Sequence, residues 1–341
     1  MKTIIKYLGC VLMLLAVTKA SVPLYAATDA MSCDAMLSMS CDAMLSMSCD
    51  AMLSMSCDAM LSMSCDAKEK KGVKENGIDS VLINGHMRHY RMVLPKTVLP
   101  NTPLVVLLHG YGGGNLNDET CMDSVARRCG FALCVPAGLY DPKGKRSWNV
   151  GYPFQEGWAV DDVDDLCLLT KYVQQKYGLS PTDAFLTGMS NGGEMCYLMA
   201  YRNQTMFKAI ASVAGLTLQW MYKGLEPQRP VPFMEIHGTE DRVSEWTGDL
   251  PNAGGWGAYM PVPIAVNRLV ALNRCTHEVV EEVPVLNPSN GHRVFLHRYL
   301  GGDAGCDVWL YQVVGGTHCW HTADMNTGAV IWNFFSQYLQ R

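Results

Sequence analysis

Ala184-Phe185-Leu186-Thr187-Gly188-Met189-Ser190-Asn191-Gly192 is the stretch that decides the fold. A short apolar run ends in G-x-S-x-G and passes into a helical pattern over 191–202. The spacing predicts a buried strand, a sharp turn and a helix. A nucleophile on such a turn has strained backbone angles and crowded neighbours. Glycines at 188 and 192 remove the side chains that would clash there. Ser190 then projects above the strand, where the helix N-terminus favours developing negative charge.

The rest of the chain fits around this unit. Further apolar runs occupy 103–108, 131–135, 209–213, 233–236 and 308–314, and helical patterns fall near 118–129, 161–177, 263–273 and 324–340. An Asn84-Gly85 pair between extended segments predicts a hairpin ahead of them. Strands that are apolar throughout and alternate with helices predict an α/β fold, with a mostly parallel central sheet covered by helices on both faces. Active sites in such sheets lie at the carboxyl ends of the strands.

Those ends carry chemistry. A serine nucleophile needs a base and a carboxylate to orient it, in the order Ser, acid, His for this fold. The 233–236 strand runs into His237-Gly238-Thr239-Glu240-Asp241, which offers Asp241 as the acid and Glu240 as its alternative. The last strand runs into Val314-Gly315-Gly316-Thr317-His318, which offers His318 as the base and His321 as its rival. His318, Cys319 and His321 lack a fourth ligand or a CxxC partner, so no metal is expected. His109-Gly110-Tyr111-Gly112-Gly113-Gly114 follows the first core strand. The backbone N–H groups of Tyr111 and Asn191 are the expected oxyanion hole, and His109 reads as structural. As a phosphate loop this segment fails, because G-x-x-x-x-G-K-[ST] is absent. Aromatic residues fall in loops around these ends, and Trp148 and Trp320 are the expected substrate contacts.

The 341 residues include 14 Cys and 22 Met, high counts that trace partly to the N-terminal region. Lys2 and Lys6 precede an apolar run from Leu8 to Val17, and small residues lead to Ala26. This reads as a signal peptide over 1–26 and predicts secretion to the periplasm or beyond the cell. From 27 to 76 the chain is a low-complexity segment and linker, expected to be poorly ordered. Within it, Met-Ser-Cys-Asp-Ala-Met-Leu-Ser recurs four times from Met31 to Ser62, with a fifth partial copy to Ala67. One Cys every eight residues lacks the paired spacing of zinc sites, and a period of eight matches no helical repeat. Residues 77–341 then form one catalytic domain. Hydrophobic residues make up 49% of the chain, enough for a large core. A net charge of −5 and a pI near 6.0 argue against a nucleic-acid partner. No second apolar segment is long enough for stable membrane insertion.

The chain from about Asn84 onward resembles the secreted α/β-hydrolase esterases of carbohydrate esterase family 1, the feruloyl and acetylxylan esterases, and the related poly(3-hydroxybutyrate) depolymerase-like proteins. The resemblance rests on the LLHGYGGG loop, Ser147-Trp148-Asn149, Val160-Asp161-Asp162-Val163, TGMSNGG, HGTED and GGTHCW. It implies Ser190, Asp241 and His318 as the triad, acting on an ester-bearing polysaccharide or small ester. Acyl transfer by such a triad calls for no cofactor, and the oligomeric state is left open by the sequence, with a monomer favoured. Family members read Gly-His-Thr-Trp-Pro near the base; here Cys319 follows His318 and His321 replaces the proline. The resemblance also implies a Cys275–Cys306 disulfide beside the His318 loop. Other readings of the same residues are a polyester depolymerase, a serine peptidase, or a binding protein without activity. The intact Ser, Asp and His set speaks against the last.

Overall fold

Asn84 and Gly85 take positive φ values of 47° and 81°, the pair of left-handed residues a tight hairpin requires. They join β1 (Ile78–Ile83) to β2 (His86–Val93) in antiparallel register, Ile83 opposite His86. The computed structural model describes residues 77–114, 120–202 and 205–339. The expected signal peptide and the octapeptide repeat lie outside the described residues.

After the hairpin come β3 (Leu104–Leu108), α1 (Met122–Cys129), β4 (Ala132–Pro136), a small two-stranded ribbon of β5 (Leu139–Tyr140) and β6 (Arg146–Ser147), and α2 (Asp162–Tyr177). Then follow β7 (Ala184–Met189), α3 (Asn191–Arg202), β8 (Ala209–Val213), α4 (Gln219–Gly224), β9 (Phe233–Gly238), α5 (Val262–Asn273), β10 (His277–Val283), β11 (Arg293–Leu300), β12 (Val308–Val314) and α6 (Thr327–Ser336). Ten strands form one sheet in the order β1-β2-β4-β3-β7-β8-β9-β12-β11-β10. The six from β4 to β12 run parallel, and antiparallel pairs close both edges.

Every residue of β3 is buried, and its side chains alternate between two cores. Leu104, Val106 and Leu108 pack with α2, α3 and α5; Val105 and Leu107 pack with α1 and α6. This is the two-sided burial that continuous apolar strands require. α2 starts where the Asp161 side chain accepts the N–H groups of Val163 and Asp164, and it ends at Gly178 in the left-handed region.

The β10–β11 hairpin has no counterpart among the expected strands. β10 is an edge strand, exposed at every position but Val283, so its sequence carries no core-facing alternation. The expected Cys275–Cys306 bridge is absent. Both stand as free thiols, and Cys275 Sγ faces the Cys306 carbonyl oxygen at 3.8 Å. The Asn273 side chain ties the Cys275 segment to that of Cys306 instead, and to Val231 as well, donating to the carbonyls of Val231 and Cys306 at 2.7 and 2.9 Å.

Candidate active site

Ser190 follows β7 directly and takes φ +55°, a left-handed value rarely adopted by a residue with a side chain. A Cβ on Gly188 would lie 2.6 Å from the Gly192 carbonyl oxygen. One on Gly192 would lie 2.7 Å from the carbonyl oxygens of Leu108 and His109. Both collisions are with backbone, so the two glycines are what permit the turn. The Ser190 N–H donates to the Val213 carbonyl, and the Ser190 carbonyl accepts the N–H of Glu194.

Asp241 and His318 come from the loops after β9 and β12, neighbours in the parallel sheet. His318 Nδ1 lies 2.7 Å from Asp241 Oδ2. Asp241 Oδ1 accepts the N–H groups of Val243 and Ser244, each at 2.8 Å. Burial works to raise this carboxyl, but the bonds from His318, Ser244 and Val243 outweigh it and hold Asp241 below the usual carboxylate value. Glu240 is exposed on the same loop. His321 is buried and turned toward Cys319 and Asp324, away from this pair.

Ser190 and His318 line one cavity of about 260 Å³, together with Tyr111, Tyr152, Glu194, Leu216, Val243, Ser244 and Trp256. Its aromatic wall is continuous: Tyr111 meets Tyr152, Phe154 and Trp256 edge-on, with ring centroids 6.4, 5.8 and 5.2 Å apart. The amides of Tyr111 and Asn191 carry no backbone–backbone hydrogen bond among the described residues. Asn191 opens α3, where no intrahelical partner exists for its N–H.

His109 is structural, as its sequence context predicts. Its Nε2 accepts the Gly138 N–H at 2.8 Å, so Nδ1 carries the proton toward the Gly110 carbonyl at 2.6 Å. Burial lowers it to about 4, and it stays neutral.

Neither expected substrate contact lines the cavity. Trp148 is wholly buried; its indole N–H donates to the His109 carbonyl at 2.9 Å and its ring packs on His109. Its backbone is clasped by the Asn191 side chain, which accepts the Trp148 N–H at 2.7 Å and donates to its carbonyl at 3.1 Å. Trp320 is buried in the core on the opposite face of the sheet. The tryptophan that does line the cavity is Trp256.

Two acids escaped the sequence reading. Glu235 faces His237 Nδ1 at 2.8 Å, and His237 Nε2 donates to the Ser244 carbonyl at 2.8 Å, bracing the Asp241 loop from below. Glu194 lines the cavity, and burial pushes its carboxyl up to about 8 against hydrogen bonds with Tyr152 and Asn191. Glu194 sits four residues beyond the nucleophile on α3, which is buried from Asn191 to Tyr201, and that spacing was its only signal.

The sheet order, the strained serine turn and the strand-end Asp–His pair define an α/β-hydrolase. Residues 143–247 match the Prolyl oligopeptidase family. A bifunctional acetylxylan esterase/xylanase of Neocallimastix patriciarum is 27% identical over 165 residues, 47% of this chain and 22% of that protein. A probable feruloyl esterase C of Aspergillus flavus is 26% identical over 193 residues, 53% of this chain and 67% of that protein. The chain thus spans about a fifth of the length of the first relative and two thirds of the second. An acetyl xylan esterase structure from Aspergillus awamori superposes with a TM-score of 0.53 at 14% identity, covering 76% of this chain and 99% of that one. The shared fold is therefore the α/β-hydrolase fold, with esterases among the chain's relatives.

Proposed function

We propose that the protein is a serine carboxylic-ester hydrolase that releases feruloyl or acetyl groups from plant polysaccharide such as xylan. The observation that carries this reading is the His318–Asp241 hydrogen bond beside a cavity shared with the strained Ser190. His318, with Nδ1–H committed to Asp241, offers Nε2 as the base. It takes the Ser190 proton as the oxygen attacks an ester carbonyl. The Tyr111 and Asn191 N–H groups receive the developing oxyanion. The alcohol leaves with a proton from His318, and water activated by the same imidazole releases the acid. Each step uses side chains, backbone amides and water.

The aromatic wall of Tyr111, Tyr152 and Trp256 supports a flat acyl or sugar face over a long alkyl chain. The Prolyl oligopeptidase match favours a peptidase as the second reading. The N-terminal sequence supports export as the route to an extracellular polysaccharide. Hydrolysis of methyl ferulate, acetylated xylan, poly(3-hydroxybutyrate) and a peptide anilide by the wild type and Ser190→Ala tests the assignment. The expected result is activity on the first two that Ser190→Ala abolishes; full activity in that variant sinks the reading.

A further inference from the structure

The loop that supplies His318 continues into a second constellation that ester hydrolysis leaves unused. Cys319 is exposed. Its Sγ lies 3.6 Å from His321 Nδ1 and accepts the His321 backbone N–H at 3.4 Å. The buried His321 ring is held by Asp324, with Nδ1 3.2 Å from Oδ2. Asp324 is fixed in turn by His292 Nδ1 at 2.8 Å and Asn290 Nδ2 at 2.7 Å, both on Oδ1. Sulfur and carboxylate meet the same nitrogen, so the Nδ1–H is shared between them and the ring stands as a donor beside an exposed thiol. The backbone agrees. His321 takes φ +55°, a left-handed conformation that persists in a residue with a side chain where its surroundings over-determine it. His318, the neighbour of Cys319 in the chain, lines the serine cavity, and the side chains that act on the sulfur are His321 and Asp324.

We propose that Cys319 is a covalent modification site: an exposed sulfur beside His321, itself held by Asp324, that exchanges with low-molecular-weight disulfides. Burial and the Asp324 charge oppose ionisation, but the hydrogen bonds and charge of His321 hold the thiol below its ordinary value. Burial also lowers His321, yet its bonds to Asp324 and Cys319 prevail and bring it up to about 9. In the exchange Sγ attacks one sulfur of the disulfide. The new Sγ–S bond forms as the old S–S bond breaks, and the departing thiolate takes the electron pair and then a proton from solvent. Cys319 is oxidised to a mixed disulfide while the other half is reduced to a thiol. Three other cysteines set the contrast. Cys134 and Cys196 are wholly buried, and burial pushes the Cys275 thiol up.

The test treats the reduced full-length protein with oxidised glutathione between pH 6 and pH 9. The Cys319 and Cys275 peptides are then quantified by mass spectrometry. At pH 6 Cys319 should be glutathionylated at least ~10-fold faster than Cys275, and its rate should rise with pH far less steeply. His321→Gln should cut the pH 6 rate at Cys319 by ~10-fold or more and bring the pH 9 rate close to that of the wild type. Equal rates at the two cysteines, or a wild-type Cys319 rate that climbs with pH as an ordinary thiol does, overturns the proposal. The wild-type profile decides the matter even if the variant does not fold.

Discussion

His318 Nδ1 lies 2.7 Å from one oxygen of Asp241, and the other oxygen of that carboxylate takes the amides of Val243 and Ser244. One side chain thus orients the base and shapes the loop that carries it. Asp241→Asn keeps the volume but sets an amide N–H or a weaker acceptor against His318, favouring the wrong tautomer. Turnover of p-nitrophenyl acetate should fall by about 10³–10⁴-fold with little change in secondary structure. A loss under about tenfold would exclude Asp241 as the orienting acid.

Glu194 should make stability depend on pH. An unfolded Glu titrates near about 4.3, whereas burial holds the folded group up to about 8. Between these values the unfolded chain gives up a proton that the folded chain keeps. This group's contribution to stability therefore falls as pH rises, by up to about 1.4 kcal/mol per pH unit. Glu194→Gln removes the titration. Measured by urea unfolding, the variant should gain on the wild type between pH 5 and pH 8. Parallel stability curves for the two proteins over that range would contradict this.

Where burial leaves a pattern, the sequence announces the structure. The five-residue run of β3 reads as a two-sided buried strand because both its faces are covered. The serine turn is legible because steric demands at Gly188 and Gly192 leave no other residue. β10 is silent, since a solvated edge imposes no alternation. α4, at six residues, is too short to show a helical period. Glu194 is hidden for the opposite reason. A glutamate in a helical pattern reads as solvent-facing, but α3 is buried from Asn191 to Tyr201. Trp148 misleads because its loop is packed beneath the site and not draped over it.

That last distinction is open to measurement. Trp148→Ala removes a wholly buried indole and should cost about 3–5 kcal/mol in urea unfolding. Trp256 is half-buried on the cavity wall against Tyr111 and Tyr152. Trp256→Ala should cost less than about 2 kcal/mol and raise KM for an aryl ester more than for an acetyl ester. A variant pair with the reverse pattern would return Trp148 to the substrate and Trp256 to the core.

Arg88 supports the site from a distance. Its guanidinium is 2% exposed and pairs with Asp162 at 2.6 Å and with Asp165 through Nε at 2.9 Å. Asp162 also accepts the Asn149 N–H at 2.6 Å, and the Asn149 side chain donates to the carbonyls of Trp158 and Val160. The pair thereby fastens β2 to α2 and to the loop that carries Trp148. Burial already raises the Asp162 carboxyl against the pull of Arg88. Arg88→Met leaves two buried carboxylates without their cation, which should cost about 3–5 kcal/mol at pH 7. In that variant Asp162 loses the pull of Arg88 and has more reason to hold a proton when folded. Raised carboxyl values make stability fall as pH rises, so the deficit should shrink toward pH 4. A deficit that is constant between pH 4 and pH 7 would mean that Arg88 contributes packing and not charge.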